Sequence, residues 1–132
     1  MNLELLLHAL GKRYGAKLSL QNGICALNNA QGQEAVVIEV PADAAMVMLH
    51  CTMTALASSE VYRHLLKVNF QMDKTLGCWL ALDDLENVQL CDQLPLVVLD
   101  ELTFCDWVSG FITHAMAMRT RLSDVGKGSQ LL

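Results

Sequence analysis

Cysteine, histidine and acidic side chains are the groups in this sequence with chemistry to offer. There are five cysteines (Cys25, Cys51, Cys78, Cys91, Cys105) and four histidines (His8, His50, His64, His114). A thiol nucleophile needs a base within reach. The one adjacent pair, His50-Cys51, lies in a stretch that reads as a strand, where neighbours point to opposite faces and cannot serve one substrate together. A distant His8, His64 or His114 could still approach a cysteine in space. The cysteine count is odd and no CxxC occurs. Each cysteine sits in an apolar stretch, where a free thiol packs as a small hydrophobe in a reducing compartment. No histidine–cysteine spacing is one that a zinc site uses. Asp83, Asp84 and Glu86, with Asp92 on the following strand, offer carboxylates for acid–base work or for a hard cation. The same composition makes a polar turn between Leu82 and Val88, which is the favoured reading. Walker A and GxGxxG motifs are absent. The expectation is no catalytic residue, no metal and no cofactor.

The elements that would position these groups are legible from periodicity. Residues 2–14 form an amphipathic helix, with Leu3, Leu6, Leu7, Leu10 and Tyr14 on one stripe. Asn2 caps its start, Lys12 and Arg13 suit its negative end, and Gly15 supplies a left-handed stop. Leu5 lies off the stripe and widens the apolar face. Residues 17–28 read as a hairpin around Asn22-Gly23, a pair that tolerates positive φ. After a turn at 29–32, Glu34–Val40 is a strand ended by Pro41, and Met46–Cys51 is a further one. Ser58 or Ser59 caps a middle helix of about three turns that carries Val61, Leu65 and Val68. Gly77–Asp83 alternates, residues 84–87 turn, and Val88–Leu94 returns. Residues 100–122 are helical, with one stripe of Leu102, Cys105, Val108, Ile112, Ala115 and Met116. Phe104, Trp107, Phe111 and Met118 make a second stripe, so this helix is expected to pack on two sides. The expected fold is α+β: a mostly antiparallel, twisted sheet of five or six strands with three helices, ordered α-β-β-β-(β)-α-β-β-α. It forms one domain over 1–132, with a frayed tail at 123–132.

Composition narrows the function classes. The chain has 132 residues, 53% of them hydrophobic and 17% charged, and a mean hydropathy of +0.33. It holds no run near the roughly 20 apolar residues that span a bilayer. The start Met1-Asn2-Leu3-Glu4 does not read as a signal peptide. Net charge is −5, and the nine basic residues are scattered, a poor match to a nucleic acid backbone. So much apolar side chain in so small a domain calls for an oligomer interface or an exposed apolar binding surface. Met46, Met48 and Met53 before the middle helix, and Met116 and Met118 in the last, fit core filling or an adaptable surface.

These segments together resemble the class I type III secretion chaperones, the Tir chaperone (CesT-like) family of Gram-negative bacteria. The resemblance rests on Leu3-x-x-Leu6-Leu7-x-x-Leu10 running into Gly15, and on Gly23-Ile24-Cys25-Ala26-Leu27. It also rests on the helix end Leu65-Leu66-Lys67-Val68-Asn69-Phe70 and on Thr75-Leu76-Gly77-Cys78-Trp79-Leu80-Ala81-Leu82-Asp83. The long apolar last helix completes it. The sequence departs from the family in its short tail and in lacking a proline before the middle helix. The resemblance implies a non-enzymatic cytoplasmic homodimer that holds an extended N-terminal segment of a secreted effector, with release by the secretion ATPase. It implies a dimer contact through Val61, Leu65, Leu66, Val68, Trp79 and Leu80. It implies client grooves involving Leu3, Leu6, Leu10, Leu18, Leu20, Ile24 and Val36. The competing expectations are a regulatory binder of a secretion or transcription component on the same fold, and a small cysteine-dependent enzyme.

Overall fold

Asn2 begins the first helix by turning its side chain onto the free backbone of the first turn, its Oδ1 accepting from the Glu4 N–H at 2.8 Å. The structure, a computed structural model, describes residues 2–42, 45–54 and 58–123; the expected tail therefore lies, beyond Ser123, outside the described residues. Helix α1 spans Leu3–Tyr14 and stops at Gly15, whose φ of 67° is left-handed. Leu6, Leu7 and Leu10 are buried.

The expected hairpin at 17–28 keeps only its turn. Asn22 and Gly23 have φ of 56° and 77°, and Gln21 and Ile24 exchange both backbone hydrogen bonds. Residues 16–20 stay outside the sheet. The cause lies at Gly11. The chain folds back on α1 after Gly15, and the Ala16 N–H donates to the Gly11 carbonyl at 2.9 Å. A Cβ at position 11 would collide with the Ala16 carbonyl oxygen, so glycine there permits the close approach. Leu18 and Leu20 are then drawn onto the core beside the helix and cannot pair with the next strand.

The sheet has five strands: β1 (Ile24–Asn28), β2 (Glu34–Glu39), β3 (Met46–Thr52), β4 (Trp79–Leu82) and β5 (Val88–Pro95). Their order is β1-β2-β3-β5-β4, antiparallel throughout. Helix α2 (Ser59–Asn69) is capped by Ser58, whose Oγ accepts from the Val61 N–H at 3.1 Å. A short α3 (Met72–Thr75) and a 3-10 turn (Leu96–Val98) were not expected from the sequence. Helix α4 is Glu101–Ser123.

Strand alternation divides the sheet into two faces. One carries Cys25, Leu27, Val36, Ile38, Val47, Leu49, Cys51, Leu80, Val88 and Leu90 into a single core with α1, α2 and α4. The other carries a row of Val37, His50, Cys91 and Trp79, paired across four strands. In α4 the two expected stripes reduce to one buried stripe of Phe104, Cys105, Val108, Phe111, Ala115, Met118 and Leu122. Leu102 and Met116 are exposed instead, because the sheet and α1 together take only one side of the helix.

Polar contacts fix α4 over the sheet. Trp107 Nε1 donates to Asp92 Oδ2 at 2.9 Å. The Arg119 guanidinium reaches the Thr52 carbonyl at 2.8 Å and the Glu34 carbonyl at 3.4 Å, closing the ends of β3 and β2. Phe104 is fully buried at the centre of this packing. Phe104→Ala is expected to cost about 3–5 kcal/mol and to lower Tm by about 10 °C or more; thermal unfolding followed by circular dichroism checks this.

Candidate functional site

The return of residues 16–20 alongside α1 leaves an open groove of about 1240 Å³ between them. Leu3, Leu5 and Leu7 line it from the helix, and Leu18 and Leu20 from the returning segment. Glu4, His8, Lys12 and Lys17 supply its polar margin. A smaller groove of about 280 Å³ shares Lys17, Leu18 and Ser19 with the first and continues to Ile24, Cys25 and Ala26 on β1. The two together trace a path from the helix to the sheet edge.

β1 forms that edge. Ile24 directs its N–H and C=O outward to Gln21. By alternation the next outward pair belongs to Ala26, which is exposed and whose backbone groups find no partner among the described residues. An unpaired edge beside an apolar groove suits an extended peptide. Main-chain bonds would add a strand, and the leucines would receive its side chains.

The residues singled out for client contact divide between this surface and the core. Leu3, Leu18 and Leu20 line the large groove, and Ile24 lines the small one. Leu6, Leu10 and Val36 have no exposed surface and act through packing. Those singled out for a dimer contact divide likewise. Val61, Leu65, Val68 and Leu80 are buried within this chain. Leu66, at 71% exposed, and the half-buried Trp79 have surface to offer. After Leu66 in the chain, Phe70, Met72 and Leu76 are exposed at 91%, 75% and 67%. These three, and Leu5, Leu7 and Ala26 in the grooves, were not among the contact residues expected from the sequence. Leu5 carried a signal, as the leucine off the buried stripe. The others carried none, since exposure of an apolar residue is not written in its spacing.

The groups with chemistry to offer are taken up structurally. Asp83 Oδ1 accepts from the Leu85 and Asn87 N–H groups, both at 2.9 Å. These bonds, that from Asn87 foremost, hold its carboxyl below the usual range, and the acidic group is a turn. His50 and Cys51 point to opposite faces; His50 Nε2 lies 3.2 Å from Glu39 Oε1, and Cys51 is buried. Among the described residues no three His, Cys, Asp or Glu side chains gather to hold a metal. All five thiols are buried and free. Burial pushes Cys51 and Cys91 up to about 11 and Cys78 to about 12, and raises Cys25 and Cys105 as well.

Reactivity needs the thiolate, so the folded chain is expected to resist iodoacetamide at pH 8. After denaturation all five cysteines should react; native adducts in the mass spectrum would contradict this. The same shifts set a pH dependence. The unfolded chain releases these protons near the ordinary value of 9.0, and the folded chain only near 11 to 12. Their contribution to stability is complete below about pH 9 and is lost as pH rises through the folded values.

The fold has close counterparts among solved structures. One chain of the crystal structure of the ExsC–ExsE complex superposes with a TM-score of 0.76 at 20% identity, covering 91% of this chain and 92% of that one. A chain of the HopA1–SchA chaperone–effector complex gives 0.73 at 14% identity, covering 89% and 93%. A chain of the heterodimeric ExoU–SpcU complex, from the type III secretion system of Pseudomonas aeruginosa, gives 0.67 at 21% identity, covering 89% and 93%. No curated protein matches the sequence. No helix among the described residues is long and apolar enough to cross a membrane. The model of the Tir chaperone protein (CesT) family matches residues 5–119, nearly the whole of the described α+β unit, and the chain belongs to that family.

Proposed function

We propose that this chain is a chaperone without enzymatic activity that holds an extended N-terminal segment of a type III secreted effector, in the cytoplasm and as a homodimer. The observation that carries the reading is the leucine-lined groove along α1 that runs onto the unpaired β1 edge. A groove of this kind binds a chain by shape and main-chain pairing, so it keeps a client extended without nucleotide. Family membership supports the class of partner. The HopA1–SchA structure, a chaperone–effector complex on a similar fold, supports it further. Release of the client falls to the secretion ATPase.

The second copy is assigned to the α2–α3 surface. Leu66, Phe70, Met72 and Leu76 form an exposed apolar run there, and such a patch is stable in water when a partner covers it. Affinity capture from the native cytoplasm, followed by limited proteolysis and mass spectrometry, tests the client reading. The expected result is one secreted protein protected over a continuous segment near its N-terminus. A partner retained only as an intact folded domain would refute it.

A further inference from the structure

The arm that follows Gly15 brings two cations to one end of the leucine groove. The Ala16 N–H donates to the Gly11 carbonyl, so Lys12 and Lys17, one position beyond each, come to the same end. Both line the large groove, and Lys17 lines the small one as well. With histidine taken as neutral, the other charged residue lining the grooves is Glu4. It stands in the first turn of α1 and Lys12 in the last, about 12 Å apart along the helix axis. The charges are therefore sorted: negative at the start of α1, positive where the large groove meets the small one. The molecule as a whole has the opposite balance, with a net charge of −5. Two of its other cations are committed, Arg13 to Asp106 at 3.0 Å and Arg119 to the Thr52 carbonyl. Lys12 and Lys17 are exposed, and among the described residues neither is in an ion pair.

We propose that Lys12 and Lys17 are specificity-determining residues: they select an extended client segment that carries acidic side chains beside its apolar run, and seat those acids at the Gly15 end of the groove. Glu4 repels a carboxylate at the other end, so the same charges set the direction in which such a client lies. Charge complementarity of this kind supplies specificity where the leucines supply contact area. A chain of net negative charge repels an acidic peptide at long range, so a preference for one has to arise within the groove. This selection rests on the proposed function, in which a client lies extended there.

The test uses three blocked, dye-labelled decapeptides that begin with alternating leucine and serine. They end in Glu-Ser-Glu-Ser, Gln-Ser-Gln-Ser or Lys-Ser-Lys-Ser. Binding to the full chain is followed by fluorescence anisotropy. Wild type is expected to bind the Glu peptide at least about tenfold more tightly than the Lys peptide, with the Gln peptide between them. Lys12→Gln/Lys17→Gln should bring the three within about threefold, and Lys12→Glu/Lys17→Glu should reverse their order. Both lysines are exposed, so circular dichroism should show either double variant folded. Arg121→Glu, exposed on α4 and outside both grooves, lowers the net charge as far as Lys12→Gln/Lys17→Gln does and should leave the preference alone. Leu5→Ala should weaken all three peptides alike.

If wild type shows no preference, or one that both lysine variants keep, while Leu5→Ala still weakens every peptide, the role of the lysines is overturned and the groove stands. So it is if Arg121→Glu erases the preference as fully as the lysine variants do, which marks an effect of net charge. A preference set by the lysines but untouched by Leu5→Ala removes the leucine groove and retains the cationic contact. No binding of any peptide sinks both. A fall to 14.5 kDa in light scattering of Leu5→Ala would give the groove to a second copy and overturn both.

Discussion

Leu66→Asp is expected to give a folded monomer, whereas Leu65→Asp, one position earlier, is expected to unfold the chain. Both leucines lie in α2, yet Leu65 is 5% exposed and Leu66 is 71% exposed. A carboxylate at 66 stands in water in the single chain, where surface substitutions change stability by about 0.5 kcal/mol or less. At the interface of two copies it is buried without a partner, which costs several kcal/mol. A twofold contact presents the substitution twice. At about 3 kcal/mol for each copy, the dimer dissociation constant rises on the order of 10⁴-fold. Light scattering at micromolar concentration should fall from twice the chain mass to 14.5 kDa, with the circular dichroism spectrum unchanged. A well-folded dimer of Leu66→Asp would move the contact away from α2. Phe70→Asp is the companion substitution, because Phe70 is 91% exposed and its loss removes no core packing.

The difference between Leu65 and Leu66 also shows where the sequence stops being informative. Caps and turns act locally, so Asn2, Gly15, Ser58 and the Asn22-Gly23 turn were all legible. Strands β2 and β3 were legible as short apolar runs, the first ended by Pro41, and β4 by its alternation, with β5 as its return after a polar turn. The extended arm at 16–20 was misread as a strand. Its alternation is real, but the close approach of Ala16 to Gly11, a tertiary contact, draws it to α1. Helix α3, at four residues, is too short to show a period. In α4, Leu102 and Met116 continue a perfect apolar row and are exposed all the same. What the helix buries depends on how wide a side the sheet and α1 present to it. The candidate site suffers the same ambiguity. Leu6, Leu10 and Val36 carry the apolar pattern that marks a core, and the core is where they are. The groove is made by the leucines left over, Leu5 above all. Asn69 belongs to the helix end Leu65–Phe70, but its carboxamide pairs with the backbone of Leu80, eleven residues on, a contact that spacing alone does not reveal.

Leu5 gives the second large expected effect. It is half exposed on α1 and forms part of the wall of the leucine groove. Full burial of a leucine side chain is worth about 1.5–3 kcal/mol, so Leu5→Ala should weaken client binding roughly 10- to 100-fold. Leu5→Asp should weaken it further, since the carboxylate must also be desolvated against Leu3 and Leu18. Neither substitution removes core packing, so Tm should stay close to wild type. Leu6→Ala is the contrasting case. Leu6 is fully buried, and its truncation is expected to cost about 2–5 kcal/mol of stability. As long as that chain remains folded, its client affinity should change less than that of Leu5→Ala. Titration calorimetry with the protected effector segment, run beside thermal melts of the three variants, separates the two effects. A groove that binds the client must lose affinity at Leu5 without losing stability. If Leu5→Asp binds as wild type does, the client lies elsewhere on the molecule, and the sheet face opposite the core, with Val37, His50 and Trp79 in one row, becomes the surface to test.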